Sequence, residues 1–134
     1  MSHTIVPGEQ PARTFYEAVG GEPTFTRLVD RFYDAVETDP VLRPLYPGAD
    51  LAAARRHLRL FLMQYWGGPT TYDELRGHPR LRMRHSPFAI GPAERDAWLG
   101  HMTAAVESLG LAEPLERQLL GYLTSAANAL QNRP

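Results

Sequence analysis

From Pro23 onward the apolar residues Phe25, Leu28, Val29, Phe32, Tyr33 and Val36 recur at steps of three and four, which gathers them on one stripe of a helix. The same spacing returns in Leu51, Ala54, Leu58, Phe61, Leu62 and Tyr65, then in Leu99, Met102, Val106 and Leu109, and finally in Leu115, Leu119, Tyr122, Leu123, Ala126 and Leu130. No stretch alternates with the period of two that a half-buried strand needs, and no internal repeat or low-complexity block interrupts the pattern. An all-α chain with four long helices is the prediction.

Glycine and proline divide the stripes. Thr14 with Glu17 three residues on forms a capping-box pattern, opening a first helix of about two turns that ends at Gly20-Gly21. Asp39-Pro40 reads as the cap and first position of a short turn through Leu45, and Tyr46-Pro47-Gly48 breaks the chain at a corner. Asp50 is placed to cap the next helix, on which Arg55, Arg56 and Arg59 face water, and Gly67-Gly68-Pro69 ends it. Residues 70–90 hold Pro79 and Pro87 and only short apolar runs, so they are predicted to be mostly loop with about a turn of helix around His85. Gly91-Pro92 opens the third long helix, with Trp98 bordering its stripe, and Pro114 opens the fourth. Residues 1–13 contain Pro7, Gly8 and Pro11 without a helical period and read as a mobile tail ahead of a domain over 14–134.

A chain of 134 residues with 43% hydrophobic residues suits one domain with a small core. All 14 basic residues are arginine, but they are scattered among 15 carboxylates for a net charge of −1, which gives no pull toward nucleic acid. The absence of cysteine excludes disulfides, thiolate metal sites and cysteine nucleophiles. No two of the five histidines stand four apart, so no helix offers the paired ligands of a zinc site. With no signal pattern and no apolar run long enough to span a bilayer, a cytoplasmic protein is expected.

Four helices in two pairs, crossed around a flat cavity and separated by a long irregular segment, resemble the truncated haemoglobins. Phe15-Tyr16-Glu17-Ala18-Val19-Gly20-Gly21 is similar to the family's opening motif, Tyr65-Trp66-Gly67-Gly68-Pro69 to its mid-chain break, and residues 78–88 to its haem-ligand segment. Trp98 at the start of the third long helix points to the second group of the family. The four elements stand in order and at compatible spacing over nearly the whole domain.

The resemblance implies a two-over-two helical globin fold carrying haem b. An axial imidazole is needed on the proximal side, its other ring nitrogen held by a neighbouring acceptor. Read alone, His85 suits a surface loop better; the resemblance makes it the proximal ligand. His78 competes but directly precedes Pro79, which disfavours helical geometry. His57 and His101 read as solvent-side or rim residues, and a shift of register would bring His57 nearer the haem edge. Arg82 and Arg84 are candidate partners for the haem propionates, since a guanidinium grips a carboxylate bidentately, and are equally consistent with a solvated charge cluster.

On the distal side, a dioxygen that draws electron density calls for hydrogen-bond donors, and phenol and indole supply them within an apolar pocket. Tyr33, Tyr46 and Trp98 each suit ordinary core packing taken singly; the resemblance places all three in the distal pocket. It also makes Ala54 a small-residue gap, Leu58 an apolar wall one turn on, and Phe61 and Leu62 further pocket candidates. The expected function is reversible binding of dioxygen and other diatomic gases such as NO and CO. A haem enzyme of peroxidase-like or nitric-oxide-detoxifying activity is the alternative, which would draw electrons from a separate reductase because no Gly-rich nucleotide motif is present. The few apolar residues outside the stripes leave a homo-oligomer open.

Overall fold

The structure is a computed structural model that describes residues 14–48, 50–76 and 89–134. The elements are α1 (Phe15–Ala18), α2 (Glu22–Glu37), a 3-10 turn (Arg43–Leu45), α3 (Ala52–Tyr65), α4 (Thr71–Arg76), α5 (Pro92–Glu107) and α6 (Glu113–Leu130). No strand occurs among the described residues. The expected tail over 1–13, and His78, Arg82, Arg84 and His85, lie outside them.

The Thr14 hydroxyl accepts from the Glu17 amide at 3.1 Å while the Glu17 carboxylate accepts from the Thr14 amide at 3.1 Å, the capping box read from the sequence. The helix it opens is four residues rather than two turns. Gly20 takes φ +112, a conformation closed to most side chains, and the chain turns back there: the Gly21 amide donates to the Tyr16 carbonyl at 2.9 Å and the Thr24 hydroxyl to the Val19 carbonyl at 2.7 Å.

Along α2 the whole expected stripe, Phe25, Leu28, Val29, Phe32, Tyr33 and Val36, is buried. Each such side chain contributes about 1.5–3 kcal/mol relative to exposure. This helix is the hub, packing against α3 on one side and α5 on the other, while α5 also packs on α6. The α2–α3 and α5–α6 pairs thus form two layers.

Helix α3 departs from its predicted face. Leu51 and Leu62 are buried as expected, but Leu60 and Met63 are buried too, and Tyr65 is 53% exposed. The cause is α4, a helix within the stretch expected to be mostly loop: α3 packs against both α2 and α4, which widens its buried arc. Tyr72 of α4 is buried and meets Phe61 edge-on at 5.4 Å. In α6, Leu119, Leu123 and Ala127 are buried, whereas Leu115, Tyr122, Ala126 and Leu130 are half-buried on the same side.

The end of α3 docks on α1. The Tyr16 amide donates to the Trp66 carbonyl at 2.9 Å, and the Phe15 and Trp66 rings lie 4.1 Å apart. Gly68 sits so close to this junction that an added Cβ would lie 2.7 Å from Tyr16 Cδ1 and 2.8 Å from the Met63 carbonyl oxygen. The carbonyl belongs to the helix and cannot move aside. Gly68→Ala is expected to destabilise the fold by about 1–3 kcal/mol, read as a lower denaturant midpoint, and an unchanged midpoint would refute the close approach.

Candidate functional site

Of the three expected distal donors, Tyr46 meets Tyr33 ring to ring and shares with Trp98 a cavity that Tyr33 does not line. Tyr33, buried on α2, meets Tyr46 edge-on with ring centroids 5.5 Å apart. Phe32 touches both Tyr33, at 4.9 Å, and Trp98 of α5, at 5.6 Å, so one aromatic chain runs from Trp98 through Phe32 and Tyr33 to Tyr46. Phe32 was read as plain core; nothing in its spacing marks it as the link.

Burial pushes the Tyr33 phenol upward, and its proximity and hydrogen bond to Tyr46 push the same way against a smaller opposing pull from Arg55. Tyr46 is also raised by burial, against a smaller downward pull from its bond to Tyr33. Both phenols therefore keep their protons through the physiological range. Tyr46 and Trp98 also line one apolar cavity of about 160 Å³, with Leu42, Leu45 and Pro47 from the turn after α2, Ile90, Glu94 and Arg95 at the start of α5, and Ala127 and Leu130 at the end of α6.

The α3 candidates do not line this cavity. Ala54, Leu58 and Phe61 are half-buried against the core, whereas Leu62 is 1% exposed and serves the core itself. His57 is half-buried on the same helix.

Residues 14–132 match the family described as bacterial-like globin. Group 2 truncated hemoglobin YjbI of Bacillus subtilis is 42% identical over 118 residues, 88% of each chain. The chain belongs to the group 2 truncated haemoglobins. In three dimensions this globin superposes on the thermostable hemoglobin of Thermobifida fusca with a TM-score of 0.89 at 66% identity, covering 91% of this chain and 99% of that one. It matches the truncated oxygen-avid haemoglobin of Bacillus subtilis with a TM-score of 0.84 at 42% identity, covering 90% and 100%. The fold is accordingly the two-over-two globin, and the cofactor is haem b.

The residues present fit that group. A porphyrin needs apolar walls with a few polar groups, and the cavity here offers a phenol and an indole among aliphatic side chains, with Glu94 and Arg95 as its charged members. Haem asks one axial ligand of the chain. No helix of the described residues is long and apolar enough to cross a membrane.

Two interactions between elements distant in this truncated haemoglobin's sequence escaped the sequence reading. Arg55, expected to face water, bridges α3 to α2: its guanidinium donates to Asp34 Oδ1 at 2.8 Å and Asp30 Oδ1 at 3.1 Å and lies 5.9 Å over the Tyr33 ring. Acidic residues at i, i+4 in Asp30 and Asp34 were the available signal. The second is His101 Nε2, 2.5 Å from Asp39 Oδ2, where a rim residue was expected.

The Asp39 carboxyl is held below the usual carboxylate range, first by His101 and then by the Leu42 and Val41 amides. A depressed value means that its contribution to stability is present above the unfolded-state value and is lost as pH falls through the folded one. Asp39→Asn is therefore expected to lower stability at neutral pH, with the gap to the unaltered protein closing below about pH 4. Denaturant midpoints measured across that range check it; a gap that stays constant would refute it.

Proposed function

We propose that this globin binds dioxygen reversibly, together with other diatomic gases such as nitric oxide and carbon monoxide. His85 is the proximal ligand, and Tyr33, Tyr46 and Trp98 form the distal donor set. The observation that carries the reading is that Tyr46 and Trp98, from separate elements, line one apolar cavity with the Tyr33 hydroxyl bonded to Tyr46. When bound, haem b supplies an iron with an open position for a small diatomic molecule.

The chain's own groups divide the work. Tyr46 lines the cavity, so its phenol is the one placed to donate there, and the hydrogen bond it shares with Tyr33 steadies it. The indole of Trp98 can only donate, which suits it to a partner that gathers negative charge. The apolar lining keeps out water that would compete for both donors. Ala54, Leu58 and Phe61 do not line this cavity and Leu62 packs in the core, so their place around the haem is carried by the family resemblance alone. Arg82 and Arg84 take the propionates.

Absorption spectra of the purified protein in ferric, ferrous and ferrous-plus-oxygen forms test the reading. A ferrous protein that oxidises at once on meeting oxygen, with no stable oxygen spectrum, would overturn it.

A further inference from the structure

We propose that His101 and Asp39 form a latch that sets the two distal donors relative to each other, making His101 a positioning residue for ligand binding. The inference rests on the reading of Tyr46 and Trp98 as donors and adds a pair that acts through them.

Asp39 organises the turn that delivers Tyr46. One carboxylate oxygen accepts from the Val41 amide at 2.7 Å and the Leu42 amide at 3.1 Å, and its own carbonyl accepts from the Arg43 amide at 2.9 Å. Arg43 closes the far end by donating to the carbonyls of Tyr46 at 2.7 Å and Gly48 at 2.8 Å. The second Asp39 oxygen leaves this turn and meets His101 at 2.5 Å. His101 stands three residues after Trp98 on α5, one turn along the same face. A single charged contact thus ties the Tyr46 turn to the Trp98 helix. It is partly shielded, with the Asp39 side chain 14% and the His101 side chain 31% exposed, and a bond to a carboxylate in such a place is among the stronger ones.

The amides on one oxygen would suffice to cap the turn, so the capping role does not account for the contact across to α5. What that contact adds is register between two segments that otherwise meet through apolar side chains lining the cavity. Hydrogen bonds weaken steeply with misalignment, whereas apolar contacts tolerate small slides. Cutting the latch should therefore loosen the donors' hold on a polar ligand and leave an apolar one nearly untouched.

The experiment compares His101→Leu, which removes the donor, with His101→Gln, which restores one at similar reach, in the haem-loaded protein. His101→Leu should speed oxygen release roughly 3- to 10-fold while carbon monoxide release changes less than about 2-fold. Hydrogen exchange at the Val41 and Leu42 amides should quicken, a change that needs no gas to read. His101→Gln should return both readouts toward those of the unaltered protein. In a Trp98→Phe background the effect of His101→Leu on oxygen should shrink, because one of the placed donors is gone. If His101→Leu fails to fold, His101→Asn, whose amide is too short to reach Asp39, carries the same test. Unchanged oxygen release in these variants, with release quickened by Trp98→Phe, would overturn the latch and leave the ligand reading intact. Equal changes for both gases would overturn it in favour of simple packing. No effect from Trp98→Phe either would sink the donor reading and the latch with it.

Discussion

Trp98→Phe is expected to speed oxygen release from this globin by roughly 10- to 150-fold, the loss of one hydrogen bond to a charged partner worth about 1.5–3 kcal/mol. The substitution keeps a ring against Phe32, 5.6 Å away, and removes only the N–H. Dioxygen gathers negative charge on binding and carbon monoxide far less, so the two gases separate loss of a donor from a change of shape. A reshaped cavity would alter both dissociation rates alike. Stopped-flow displacement measures both, and equal effects, or none on oxygen, would demote Trp98 to a packing residue. Tyr46→Phe should act in the same direction, because Tyr46 lines the cavity that Trp98 also lines.

His85→Gly is expected to leave a chain that releases haem readily. Losing a group that merely hydrogen-bonds a metal ligand typically costs about 10- to 100-fold in affinity, and losing the ligand itself should cost more. His78→Ala should keep its haem and an ordinary five-coordinate ferrous spectrum, since the residue before a proline is held away from helical geometry. Haem transfer to a scavenging protein reads the loss directly, and added imidazole should slow it in His85→Gly by filling the vacated position. A His78 variant that comes out colourless beside a red His85 variant would reverse the assignment.

The sequence by itself determined the helical class, the breaks between helices and the stripe of α2, because a period of 3.6 and the conformational limits of glycine and proline act within a few residues. It also carried the motifs that place the chain in its family. Other features were decided only in the tertiary structure. Tyr65 has the spacing of a core residue yet lies outside, stacked 4.1 Å from Tyr122, because α4 and α2 together turn α3 to bury Leu60 and Met63 instead. Arg55 looked like one of three solvated arginines until α2 brought Asp30 and Asp34 within its reach. Asp39 was legible as a cap, and two amides do bond to it, but its bond to His101 joins residues 62 apart in the chain. Local pattern records which face of a helix is apolar; it carries no information on how two helices cross, and the meeting of Tyr46 with Tyr33 and with Trp98 depends on that crossing.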